Sequence, residues 1–145
     1  MWSDTLLAAE RAHLERLVLW GVMSVLVGTA LLALLAARRV RSPLLTHFAV
    51  QMSAWGALDL ALAGWAWRGL RLRDFATATA LDRLLWLNTG LDLGYVAVGI
   101  TLAATGWAVG RRLALIGAGT GIVVQGAALL VLDATFISIL GRLAF

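Results

Sequence analysis

Cysteine and lysine are absent from the 145 residues, and proline occurs once. Without cysteine there is no disulfide framework, no thiolate metal site and no thiol nucleophile, and the redox compartment leaves no trace. With no lysine, all twelve basic residues are arginine; this Ala/Leu/Arg-rich usage points to a GC-rich bacterial genome. The formal charge of +4 reads as loop topology and lipid head groups, so no nucleic-acid partner is expected. Also missing are a nucleophile–base pair, a phosphate-binding glycine loop and a metal-ligand constellation, which argues against an enzyme. The start of the chain lacks the short basic region of a secretory signal, so the N-terminus is expected to be retained.

What is present is apolar: 61% hydrophobic residues and a mean hydropathy of +0.89, well above a soluble domain. The expected fold class is all-α, a single polytopic transmembrane domain over residues 1–145 with four spans in two antiparallel hairpins. Ser3 or Asp4 can cap a helix from Thr5 whose charged residues, Glu10, Arg11, Glu15 and Arg16, stay outside the bilayer. Residues 17–37 are uncharged and long enough to cross about 30 Å of hydrocarbon. Arg38, Arg39 and Arg41 stop that span, and Ser42-Pro43 begins the second, 44–67. Asp74 can cap one long helix that carries the third span, 84–109. After Gly110-Arg111-Arg112 comes the fourth, 113–140.

The third span contains the most informative stretch, Leu-Asn-Thr-Gly-Leu-Asp-Leu-Gly-Tyr from Leu87 to Tyr95. Asn88, Asp92 and Tyr95 share one helical face. An ionisable group costs about 2.5 to 3.5 kcal/mol at the centre of an inserted helix, so Asp92 must face protein, water or a partner. Counted from the span ends on the side of the termini, Asp59, Asp92 and Asp133 all lie about 11 to 12 Å inside, and Ser24 reaches the same depth. Gln51 and Gln125 form a second layer roughly 23 Å in. With no Lys or Arg in any span, three carboxylates at one depth cannot all ionise cheaply; they either share protons or hold a cation. The expected ligand or ion site is therefore Asp59, Asp92, Asp133, Asn88, Gln51, Gln125 and Tyr95, the identity of any metal being undetermined. The bland alternative is that these groups only join helices by hydrogen bonds averaging about 0.6 kcal/mol each.

Other features are weaker. His13 is placed outside the terminal side and His47 near the opposite face, too far apart for a bis-histidine haem, so no cofactor is expected. His47, Gln51, Trp55 and Asp59, four residues apart in turn, could line a polar path along the second span. Trp20, Trp65, Trp67 and Trp86 suit an interfacial belt. Gly90/Gly94, Gly106/Gly110 and Gly117/Gly121 permit close helix approach, within the bundle or in a homodimer or larger membrane complex. A faint repeat relates Leu14-Glu15-Arg16-Leu17 to Leu81-Asp82-Arg83-Leu84 and the Gln51/Asp59 pair to Gln125/Asp133, as duplication of a hairpin or chance would give.

His47-Phe48, Gln51 and Trp55-Gly56, then Leu87 to Tyr95, then Gln125-Gly126-Ala127 and Asp133 together resemble a family of small bacterial four-helix integral membrane proteins of unknown function. The resemblance implies the four-helix architecture and the relevance of these polar residues, and implies no reaction. Two functions follow as expectations: a site binding or passing a proton, cation or small polar ligand, or a non-catalytic accessory or scaffold subunit. Arg11, Arg16, Arg68, Arg71, Arg73, Arg83 and Arg142 outnumber Arg38, Arg39, Arg41, Arg111 and Arg112, which favours cytoplasmic termini in a bacterial inner membrane.

Overall fold

The computed structural model describes residues 2–143, and its four helices are α1 (Trp2–Ala37), α2 (Pro43–Arg68), α3 (Phe75–Ala108) and α4 (Leu113–Leu140). No strand occurs among the described residues. Local chemistry explains most of the boundaries. The Ser42 hydroxyl accepts from the Leu45 amide at 3.3 Å, and Pro43 takes the first helical position, where its missing N–H costs nothing. Asp74 accepts from the Thr77 amide at 2.9 Å and starts α3 well outside the apolar stretch. The turn from α3 to α4 reverses through left-handed backbone at Gly110 (φ 75) and Arg111 (φ 55); the first of these is the conformation glycine adopts at no steric cost.

Helix α1 departs from expectation at its start. It begins at Trp2 rather than Thr5, and Ser3 does not cap it; the Ser3 hydroxyl instead donates to the Arg73 carbonyl at 3.0 Å. The charged segment is a continuous part of the bundle. Leu6 at its N-terminal end joins Ala78 and Leu85 of α3 and Phe136 and Leu140 of α4 in one buried cluster.

The helices pack as two hairpins, α1 with α2 and α3 with α4, joined mainly along α2 and α4, with a lighter contact of α1 on α4. Glycine makes these contacts close. A Cβ on Gly56 would sit 2.8 Å from the Gly21 carbonyl oxygen, and one on Gly99 would sit 2.7 Å from that of Gly119. Gly117 and Gly121 let α4 approach Leu44 and Gln51 of α2 in the same way. Such contacts gain dispersion energy through backbone proximity, the main source of helix association where lipid surrounds the bundle. Neither α1 nor α2 comes to backbone distance of α3 among the described residues; they meet it only through side chains. That gap positions the site.

Three helices, α1, α3 and α4, are long and apolar enough to cross a membrane. The second of the four expected spans is not among them. At 26 residues α2 extends about 39 Å, so length does not limit it. His47, Gln51 and Asp59 within it lower its hydropathy.

Candidate functional site: an acidic cavity between α2 and α3

Because α2 and α3 stand apart while α4 lies against both, a space is left between them, with α4 and the first half of α1 behind it. It forms a cavity of about 280 Å³. Leucines from all four helices make up much of the wall, and the polar groups entering it are Asp59 from α2, Asn88, Asp92 and Tyr95 from α3, Asp133 from α4, and Glu10 and His13 from α1. The three aspartates are buried, and each is close enough to the others to interact electrostatically. Asp59 Oδ2 and Asp92 Oδ2 are buried without a hydrogen-bond partner. No arginine contributes to the lining among the described residues.

The cavity has two defined ends. Towards the middle of the bundle, Trp55 and Tyr95 meet edge to face across the cleft, ring centroids 4.9 Å apart, and the Trp55 indole donates to Gln51 Oε1 at 3.0 Å. Towards the termini, Arg73 from the α2–α3 loop donates to both Glu10 oxygens, at 2.9 Å and 2.6 Å. Those hydrogen bonds and the carboxylate charge hold the Arg73 guanidinium above its usual range, against the opposing effect of burial. Glu10, though acidic and in the lining, is thus already neutralised.

Five of the seven expected residues, Asp59, Asp92, Asp133, Asn88 and Tyr95, line this one cavity. The two glutamines do not. Gln51 is the acceptor that fixes Trp55. Gln125, buried beneath α1 and α2, accepts from the Trp20 indole at 2.7 Å and donates to the Met52 carbonyl at 3.4 Å. Trp20 therefore turns inward, whereas Trp65, Trp67 and Trp86 are exposed. His47 does not extend the polar row: it is exposed, and its Nδ1 lies 2.8 Å from the Pro43 carbonyl of its own helix. Ser24 is buried against Gly56, on the α1–α2 seam and outside the cavity lining. Among the described residues no three His, Asp or Glu side chains converge tightly enough to hold a metal ion.

His13 and Glu10 are the cavity residues missing from the sequence reading. His13 stacks on Phe136 at 4.6 Å between ring centroids, with Nε2 3.4 Å from Asp133 Oδ1. The signal existed: Leu6, Glu10, His13, Leu14, Gly21, Ser24, Gly28 and Leu35 follow a spacing close to 3.5 residues and form the buried face of α1. Both polar residues lie on that stripe.

Fold and cavity together define a small all-α protein with three helices able to cross a membrane and a buried carboxylate cluster in an inter-helix cleft. The chain belongs to the family of unknown function DUF6992, which matches residues 16–134. No curated protein and no solved structure matches it.

Proposed function

We propose that the protein is a four-span bundle of the bacterial inner membrane whose cavity binds a small ligand or cation rich in hydrogen-bond donors. The observation that carries this reading is the pair of carboxylates, Asp59 and Asp92, that line the cavity from two helices, each with a buried Oδ2 to which the protein offers no hydrogen-bond donor. A buried acceptor left unpaired costs on the order of 1–3 kcal/mol, and more when charged, which an occupant with N–H or O–H groups would recover. Helix α2 crosses with the others because it lies along α1 and α4, turns Asp59 inward and sets Gln51 against Gly121 of α4, while the exposed His47 sits close to its start. The arginine distribution, seven on the terminal side against five on the other, favours termini in the cytoplasm. A reporter fused at Phe145, itself outside the described residues, should be active only in its cytoplasmic form.

This is a binding reading, not a catalytic one. Extraction in mild detergent followed by native mass spectrometry should find an adduct of constant mass that is lost in Asp59→Asn and in Asp92→Asn, with both variants still folded. Adduct-free wild-type protein from membranes and from several detergents would refute it.

One observation favours the accessory-subunit alternative. A Cβ added to Gly90 or Gly94 on α3 would meet no atom of another helix within 4 Å, so this small-residue face is left outside the bundle, free for a second copy or a larger complex. Crosslinking from Gly94→Cys in membranes should capture a partner if that face is used, and capture nothing if it only faces lipid.

A further inference from the structure

We propose that the cavity takes a lipophilic amine from the bilayer, seating its ammonium between Asp59 and Asp92 and letting its hydrocarbon tail leave through the cleft between α2 and α3. This rests on the reading of the cavity as a ligand site and names the class of ligand.

Charge fixes the head group. Asp59 and Asp92 are 6% and 4% exposed and come from opposite walls of the cleft, each with one oxygen lacking a donor. Asp133 from α4 adds a third acid within electrostatic reach. Arg73 is committed to Glu10, so no arginine is left to balance this group in the lining. A carboxylate or phosphate would meet like charge there. The acids do not converge as ligands of a metal ion would. An ammonium, whose N–H groups point in several directions, can serve acceptors on separate walls.

The wall fixes the remainder. Leu58 and Leu62 of α2 and Leu84 and Leu91 of α3 line the cavity and are also 45%, 58%, 52% and 48% exposed. The cleft is thus open sideways along an apolar seam, and a chain lying in it would touch the cavity wall at one end and lipid at the other. At about 280 Å³ the cavity falls just below the range of about 300–1,000 Å³ usual for enclosing a whole drug-sized ligand, which suits a head group and a few methylenes with the tail outside. Entry from the bilayer brings the amine to the acids without crossing the Glu10–Arg73 pair.

The test is photolabelling of the full chain in lipid nanodiscs with a decylamine that carries a diazirine at its tail end. Labelling should fall on the seam leucines. Octylamine should suppress it at a concentration at least tenfold lower than octan-1-ol, while octanoate and ethylamine should not suppress it. Asp59→Asn and Asp92→Asn should each weaken labelling at least tenfold; the comparison of competitors needs no variant and stands if either substitution prevents folding. Equal competition by octan-1-ol, with labelling still confined to the seam, would overturn the amine while leaving a ligand site. Competition by ethylamine equal to that by octylamine would overturn entry from the bilayer. Labelling spread over the lipid-facing leucines of all four helices, insensitive to every competitor, would overturn both this inference and the reading beneath it.

Discussion

Breaking the Glu10–Arg73 pair should be asymmetric. The two hydrogen bonds join the outer part of α1 to the α2–α3 loop, and the side chains are 6% exposed for Glu10 and 18% for Arg73. Removing one partner of a buried pair costs about 3–5 kcal/mol when the remaining charge has no access to water. Arg73→Met strands the more buried charge, so a loss of about 3 kcal/mol is expected. Glu10→Gln leaves an amide that still accepts one bond, and the guanidinium is the more accessible partner, so the loss should be about 1–2 kcal/mol. The double variant leaves no unpaired charge and should cost about 2 kcal/mol, well short of the sum, giving a coupling of roughly 2–3 kcal/mol. Unfolding in mixed micelles by added denaturing detergent measures each value. Because Arg73 is held above its already high usual range, its charge persists at every working pH, and the coupling should not change as pH rises from neutral towards 10. Additivity within about 0.5 kcal/mol, or a costlier Glu10→Gln than Arg73→Met, would refute the picture of a buried and mutually dependent pair.

Gly119→Val should destabilise by about 1–3 kcal/mol or more in the same assay, since its Cβ would meet the Gly99 carbonyl oxygen at 2.5 Å and the Ala103 amide at 2.6 Å. Gly94→Val, with open space around it, should be nearly neutral for folding, and equal losses for the two would contradict the packing. At the start of α3, the Thr77 hydroxyl and amide hold the Asp74 carboxyl below its usual range. A depressed folded value means that its stabilisation is present above the unfolded value, near 4, and lost as pH falls through the folded one. Protection of the amides in the first turn of α3, taken relative to intrinsic exchange at each pH, should therefore fall in acid below about pH 4 in the wild type, whereas Asp74→Asn should lack that step.

Helix number and most boundaries were readable because their signals are local. Ser42-Pro43, Asp74 and Gly110 act within a turn of themselves, and a run of uncharged apolar residues announces its own length. The common placement of Asp59, Asp92 and Asp133 was readable for a related reason: helical rise converts a residue count into depth. Depth does not give azimuth. Gln125 has the right depth for its layer yet faces Trp20, a residue 105 positions away, across a contact between α1 and α4 that no periodicity announces. Glu10 and His13 were missed because nearby Arg11, Glu15 and Arg16 marked the segment as solvent-side. Those three are exposed, and the buried stripe runs between them. Charge content reports the average surroundings of a segment, whereas burial belongs to one face.

The cavity itself follows from where glycine is and is not placed. Helix α4 carries small residues in two directions, Gly117 and Gly121 against α2 and Gly119 and Gly126 against α3, so both neighbours close on it at backbone distance. With Gly21 and Gly56 closing α1 onto α2, every helix pair that packs closely is a pair these glycines serve. On the faces that α2 and α3 turn towards each other the residues are instead Trp55, Leu58 and Leu62 opposite Leu84, Leu91 and Tyr95, which hold the backbones apart. Two helices drawn tightly to a third and kept from each other by large side chains must leave a wedge of space between them. Asp59 and Asp92 stand on the two walls of that wedge and Asp133 at its back, so the acids occupy a place in the bundle where backbone packing leaves room for something other than protein. A polar layer serving only to join helices would be expected at the close contacts, where donors and acceptors can reach each other. Gln125 does this, and Asp133 reaches His13 of α1; Asp59 and Asp92 do not, and each keeps a buried oxygen free.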